Sequence, residues 1–412
     1  MSQKKLIFKN LTYLYILQFG QFIIPLVMIP YIIRTIGVTG YGIYAVAQSI
    51  IFFLNLFVDY GFGTVLIRRI AQNRGNQSII NQAFSNIFVI KLSTSILIFV
   101  VLVVALWGKP ELEFCIYSYG IIISNILFPL WLFQGIEEMK FVTYVNLTAR
   151  LLFLITVFIF VKNSTDVGLL CILNSLGLVI AAIVSMAIVM LHLKVRFVKI
   201  TWLEIKREVK DANDAFITNL TSNLFITMPT IILNQFVTKE IVGFYSISEK
   251  ISRVLLNLIT PISQVIFPYL SRHKKNVSFI IKANKLLIVT FLIGMISSII
   301  LWVGSPFIYT IVSGNDNNIG IYCLRVWSIT FFFMFCGSII NQIVWSLNLD
   351  KLIKNLCIIA AFLFLMLGYG LTALYNYKGI CYSILIAESF MTVMLLCFYI
   401  RHVYTKGVNR VY

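Results

Sequence analysis

Twelve long apolar stretches, separated by short polar segments, run along the chain at approximately 11–33, 43–66, 83–107, 114–136, 141–161, 167–191, 215–237, 241–267, 285–307, 321–346, 352–375 and 379–400. About 20 apolar residues in a helix cross the roughly 30 Å of bilayer hydrocarbon, so each stretch predicts one membrane-spanning helix. Pro25, Pro30, Pro129 and Pro261 fall inside these stretches, where proline kinks a membrane helix instead of ending it. Lys4, Lys5 and Lys9 precede the first stretch as in a signal peptide, but the charge-free run from Asn10 to Ile33 is longer than a signal core. A retained first helix is expected. The basic, amphipathic segment 192–214 separates six spans from six. It is expected to lie along the membrane surface and to link a bundle of residues 1–191 to a second bundle of residues 215–412.

Composition points the same way. Of 412 residues, 60% are hydrophobic and 12% charged, against roughly 25% charged in soluble domains. So few charges cannot cover a water-soluble protein of this size, and lipid is the remaining solvent for its surface. The fold class expected is an all-α polytopic membrane protein, with twelve transmembrane helices in two six-helix bundles around a central cavity.

The net charge of +18 is unevenly distributed. With a cytoplasmic N-terminus, 23 basic residues fall in inside segments and five, Arg34, Lys109, Lys162, Lys239 and Lys378, in outside ones. That bias predicts both termini in the cytoplasm. It also accounts for the charge by attraction to anionic membrane lipids and argues against nucleic-acid binding. The seven cysteines show no CxxC spacing and the three histidines are scattered, so neither a disulfide framework nor a metal site is expected. There is no phosphate-binding GxxxxGK[ST] loop and no dinucleotide fingerprint, which argues against ATP hydrolysis and leaves no cofactor to expect.

An internal repeat supports the division into halves. Gly42-Ile43-Tyr44, followed by Ala47-Gln48-Ser49-Ile50, is similar to Gly243-Phe244-Tyr245, followed by Ser248-Glu249-Lys250-Ile251, at a constant offset. Each copy opens the second helix of its half. Parallel repeats of this kind share an axis along the membrane normal and place a cavity between them.

Charges inside spans cost roughly 2.5–3.5 kcal/mol each at mid-helix on insertion scales and usually serve function. Arg150 and Glu388 lie at the middle of their spans, Lys250 and Arg253 near the middle of theirs. Asp59 and Lys91 lie shallower, toward the cytoplasmic side, and Arg325 nearer the outer side. In the eighth span Ser246, Glu249/Lys250, Arg253, Asn257, Thr260 and Gln264 recur every three or four residues as one polar stripe. The second span has a weaker counterpart in Gln48, Asn55 and Asp59. A plainer account is open for several of these: Glu249 and Arg253 form an i,i+4 pair, Asp59 has bases nearby, and Lys91 and Arg325 are long enough to snorkel. Arg150 has no acidic residue within a turn. The excess of basic groups near mid-membrane points to an anionic cargo, a phosphate or an acidic sugar.

Three segments resemble a known family. Pro30-Tyr31-Ile32-Ile33-Arg34-Thr35-Ile36-Gly37 with Gly40-Tyr41-Gly42, then Asp59-Tyr60-Gly61-Phe62-Gly63 and Arg68-Arg69, is similar to the start of Wzx-type O-antigen flippases. Trp131-Leu132-Phe133-Gln134-Gly135 with Glu138-Met139 resembles a second signature of that family. Val242-Gly243-Phe244-Tyr245 through Glu249-Lys250-Ile251 to Pro261-Ile262-Ser263-Gln264 resembles a third. The resemblance covers residues 11–275; beyond that only hydropathy agrees.

It implies a transporter of the multidrug/oligosaccharidyl-lipid/polysaccharide superfamily in a bacterial inner membrane. Such a protein would carry undecaprenyl-diphosphate-linked oligosaccharide to the periplasmic leaflet by alternating access. Arg150, Lys250 and Arg253 would meet the diphosphate, Lys91, Arg325 and Asn257 would complete the polar path, and Arg34 would act at the outer gate. Asp59, Glu249 and Glu388 are the candidates for coupling to protons or sodium. A polysaccharide polymerase and a chain-length regulator are the candidate protein partners. Two other readings stand beside this one. A multidrug or cation exporter of the same superfamily would favour an acidic cavity. A membrane glycosyltransferase or polymerase would need catalytic groups outside the membrane, where the longest outer loop, near 304–320, offers Asp316 alone.

Overall fold

The computed structural model describes residues 3–257, 277–347 and 349–408, and every regular element in them is helical. The helices are α1 Gln3–Asp59, α2 Phe62–Gln72, α3 Gln77–Ala105, α4 Glu111–Ser118, α5 Gly120–Leu127, α6 Leu130–Gly135, α7 Met139–Phe160 and α8 Val167–Ala187, which ends in a π-helical turn, Ile188–His192. They continue as α9 Trp202–Leu233, α10 Lys239–Leu256, α11 Val277–Ser313, α12 Asn318–Ser346, α13 Asp350–Tyr375 and α14 Tyr377–Val408. Among the described residues ten helical stretches are long and apolar enough to cross a membrane. Two expected spans are not among these ten. The first leg of α1 runs through the first expected span. Helix α10 covers the start of the eighth and holds Lys239, Glu240, Glu249, Lys250 and Arg253, more charge than an ordinary span carries. The end of that eighth span, with Thr260, Pro261 and Gln264, lies outside the described residues.

Helix α1 holds two expected spans, and the break between them is at Gly37 (φ 74°, ψ 170°), not at Pro25 or Pro30. A positive φ suits glycine, which has no Cβ to clash. A bilayer helix tolerates proline because neighbouring groups satisfy the carbonyl it frees. The second leg ends at Asp59, seven residues before the expected boundary, because Tyr60 (φ 46°) and Gly61 (φ 72°) turn the chain into α2. That helix buries Phe62, Leu66 and Ile70 on one face and exposes Arg68 on the other. The fourth expected span is built from α4, α5 and α6, and the chain leaves helical geometry at Phe128 and Pro129.

Contacts divide the chain into two compact units, Met1–Asn223 and Leu224–Tyr412, with the boundary inside α9. The segment 192–214, expected to run between bundles, belongs to the first unit. Its apolar residues Val195 and Ala212 are buried in one cluster with Phe62 and Leu66 of α2 and Trp131 and Phe133 of α6. Arg69 of α2 pairs with Glu208, and with Asp211 at 3.2 Å. Helix α9 starts well before the seventh expected span because Thr201 and Glu204 cap it: the Thr201 backbone N–H donates to Glu204 Oε2 (2.9 Å), and the Glu204 N–H donates to Thr201 Oγ1 (3.4 Å). In the loop before α8, Asp166 accepts hydrogen bonds from the backbone N–H groups of Lys162 and Asn163, which hold its carboxyl below the usual carboxylate range. The second unit packs α11, α12, α13 and α14 around Cys336, Ile339, Ile343, Leu356 and Leu395.

The turn at Gly61 yields a direct test. A Cβ there would lie 2.7 Å from the backbone nitrogen of Phe216, and Tyr60 stacks on the Phe216 ring at 4.3 Å. Gly61→Ala therefore combines a strained φ with a backbone clash, and should cost about 1–3 kcal/mol. Thermal unfolding of the purified variant checks this; an unchanged transition would contradict the packing described.

Candidate functional site

Most of the charged residues singled out within the spans gather in two clusters, one in each unit, while Arg150 and Arg325 lie apart from them. In the second unit the cluster is built on α10. Glu249 and Arg253 are one turn apart and form an ion pair, Nε to Oε1, at 2.7 Å. Arg253 also donates from a terminal nitrogen to the carbonyl of Phe225 at 2.7 Å. That second bond has a cause in the sequence: Pro229 lies inside α9. Proline has no N–H, so the carbonyl four residues earlier, on Phe225, is left without its helical donor. Arg253 supplies the missing donor and at the same time lies over the Trp327 ring, 5.2 Å from its centroid. Thr230, also on α9, hydrogen-bonds to Glu249.

Around this pair are buried polar atoms that have no hydrogen-bond partner among the described residues: Tyr245 Oη, Ser246 Oγ and Trp327 Nε1. Tyr245 and Trp327 face each other at 6.2 Å. Glu388 of α14 is partly buried and is acted on by the charge of Arg253, yet its carboxylate makes no hydrogen bond or ion pair among the described residues. Among the described residues this cluster thus presents one neutralised pair, one unpaired carboxylate and several unused donors.

In the first unit the cluster joins α1, α3 and α5. The Lys91 ammonium is buried, with 4% of its side chain exposed, and donates to Asp59 Oδ1 (2.9 Å) and Asn125 Oδ1 (2.6 Å). The two residues expected at similar depth are therefore partners. Asn125 was not singled out from the sequence, though an intramembrane amide is a signal that could have found it. Higher in α1, Asn174 donates to Tyr44 Oη (3.1 Å) and Gln48 Oε1 (3.2 Å), and the Gln48 amide donates to Ser118 (3.3 Å). Gln48 and Glu249 occupy matching positions in the repeat. The residue is neutral and internally bonded in the first unit and half of an ion pair in the second.

Arg150 lies on α7, partly buried. It forms no hydrogen bond or ion pair with any described residue. The other candidates are dispersed. Lys250, next to Glu249, is exposed, as are Asn257 at the end of α10 and Arg34, one turn before the break in α1. Arg325 bonds Ser305 Oγ at 3.2 Å and lies over Trp302 of α11 at 5.2 Å, away from the Arg253 cluster.

The motif segments themselves serve as scaffold. Tyr31 donates to the Val161 carbonyl at the end of α7 (2.8 Å). Gly135 packs against Ile70, and its carbonyl accepts from Arg74 Nε (3.0 Å), while Arg74 pairs with Glu137 at 2.6 Å. No group of three or more His, Cys, Asp or Glu that could hold a metal occurs among the described residues.

Comparison with known proteins gives the arrangement its context. The chain is 28% identical over 399 residues to a protein of Escherichia coli (strain K12) named "Putative O-antigen transporter", covering 95% of this chain and 96% of that one. A protein of the same name from Shigella dysenteriae is 25% identical, over 94% of this chain and 98% of its own length. Among solved structures, the lipid II flippase MurJ in an inward closed conformation superposes with a TM-score of 0.75 at 15% identity, covering 95% of this chain and 87% of that one. An inward-facing multidrug resistance MATE family transporter of the MOP superfamily superposes at 0.69 and 12% identity, over 93% and 98%. The fold is that of these transporters, and with ten apolar helices among the described residues the chain is a multi-pass protein of a bacterial inner membrane. The model of the family described as "Polysaccharide biosynthesis protein" matches residues 7–274, most of the chain, and the chain belongs to that family.

Proposed function

We propose that this protein is a flippase for undecaprenyl-diphosphate-linked O-antigen repeat units, moving them from the cytoplasmic to the periplasmic leaflet by alternating access with ion coupling. Family membership and the names of relatives that match along nearly the whole chain support the lipid-linked polysaccharide as cargo. The observation that carries the site is Arg150. An arginine stays protonated in proteins, and within a span it needs an anionic partner or water. Among the charges singled out, Lys91 and Arg253 already have carboxylates, so Arg150 is the guanidinium with capacity for an incoming diphosphate, which its planar fork grips with charge-assisted bonds. Lys250, Arg34, Arg325 and Asn257, all exposed, would make further contacts along the path of the sugars. Of the coupling candidates, Asp59 is bound to Lys91 and Glu249 to Arg253, which leaves Glu388 as the carboxylate able to take up and release a cation.

Charge reversal tests the site. Arg150→Glu should abolish export of surface polysaccharide while the protein accumulates normally in the membrane, and Arg150→Lys should retain part of it. Export by Arg150→Glu at the normal level would remove this residue from the cargo path.

A further inference from the structure

The second unit carries a cavity that the charged cluster does not use. It lies between α11, α12 and α14 and has a volume of about 430 Å³, within the roughly 300–1,000 Å³ of ligand pockets. Its walls are apolar: Phe291, Phe332, Phe333 and Ile340 line it together with Val393 and Leu396. The two threonines present, Thr290 and Thr392, donate their hydroxyl hydrogens to the carbonyls of Leu286 (2.8 Å) and Phe333 (2.9 Å), so neither has a hydrogen left to donate to an occupant. The frame is rigid. Ser298 of α11 bonds the Ser328 carbonyl of α12 at 2.7 Å, and Gly337 lets Thr392 approach so closely that a Cβ would meet its hydroxyl at 2.6 Å.

Basic residues lie beyond one end of this cavity, on two of the helices that line it. Lys285, Ile288 and Leu292 follow one another on one face of α11 at i, i+3 and i+7, and Lys285 is exposed. On α14, Arg401 lies two turns beyond Val393 on the same face and is also exposed. Tyr399 of α14 bonds Asn284 of α11 at 2.8 Å and ties the two helices together there. The positive-inside bias assigns this end to the cytoplasmic surface. An apolar cavity with a basic rim at headgroup level fits an amphiphile with an anionic head and a long apolar tail.

We propose that this cavity is a docking site for a polyisoprenyl phosphate, its head at Lys285 and Arg401 and its first isoprene units against Phe291 and Phe332. The identity of this lipid rests on the flippase reading above. A polyisoprenyl chain suits these apolar walls better than a saturated acyl chain of equal carbon count. Its fixed double bonds leave fewer rotations to freeze on ordering, so less entropy opposes binding.

The test uses the full-length protein in nanodiscs and a long-chain polyisoprenyl phosphate bearing a photoactivatable group on a head-proximal isoprene unit, with labelled peptides identified by mass spectrometry. Labelling is expected in residues 286–296, 331–341 and 391–397, and an excess of unlabelled polyisoprenyl phosphate should remove it where phosphatidylglycerol does not. Val393→Trp, at an exposed position on the rim, should block labelling, and Lys285→Glu should weaken it about tenfold by setting like charges against each other. Equal competition by phosphatidylglycerol, or label spread evenly over the apolar helices, would overturn the site by reducing it to ordinary lipid contact. Failure here is separable from failure of the flippase reading. Export that depends on the protein, without labelling of these segments, rejects the site alone; labelling here with export intact after gene deletion rejects the flippase reading and leaves a lipid site.

Discussion

Arg253→Ala should lower stability by about 3–5 kcal/mol, the usual cost of breaking a buried ion pair from one side. Two groups lose their partner at once. The Glu249 carboxylate, with 9% of its side chain exposed, becomes an unpaired buried charge, and the Phe225 carbonyl, already without a helical donor because of Pro229, loses the Arg253 bond. Thermal unfolding of purified protein reads this directly. Arg253→Lys should lose less, because an ammonium can keep the Glu249 pair but cannot span carboxylate, carbonyl and indole ring as the guanidinium does. The double variant Glu249→Gln/Arg253→Met should recover much of the loss, since removing both charges removes the desolvation cost of both. A melting curve for Arg253→Ala that matches the unaltered protein would refute the bracing role.

Glu388→Gln should show the opposite signature: a fold at least as stable, and transport reduced roughly tenfold or more. The glutamine has the same shape, and the carboxylate has no bonded partner among the described residues, so neutralising it removes a partly buried charge without orphaning another group. If this carboxylate takes up and releases the coupling cation, the variant can bind cargo yet cannot use a gradient. The measurement is polysaccharide export before and after collapse of the proton and sodium gradients. Unaltered protein should lose export on collapse, and the variant should be low under both conditions. Normal, gradient-sensitive export by Glu388→Gln would exclude this residue from coupling.

Much of the helical frame is legible from hydropathy, because a bilayer demands long apolar helices whatever surrounds them. The ends are less so. The break in α1 follows Gly37 because a positive φ, not a missing N–H, bends the chain there. Apolar positions at Ile205, Val209 and Ala212 announce an amphipathic start to α9, but its partner Arg69 is 139 residues away in sequence. The pair Glu249–Arg253 is visible as an i,i+4 spacing, and Pro229 marks Phe225 as a carbonyl in need of a donor. Which donor arrives, and that Trp327 and Glu388 share the site, depends on which faces of α12 and α14 turn inward. Those helices are apolar nearly all round, so no stripe in their sequences says so. The family motifs at Tyr60-Gly61 and Gly135 were easy to notice and turn out to hold helices together, while Arg150, in no motif, carries the proposed cargo contact.

The central claim is tested most directly by deleting the gene in its host and locating the lipid-linked oligosaccharide with leaflet-selective labelling, alongside surface polysaccharide. The account predicts repeat units accumulating on the cytoplasmic face with surface polymer lost. Repeat units reaching the periplasmic face unpolymerised would contradict it and assign the protein to polymerisation.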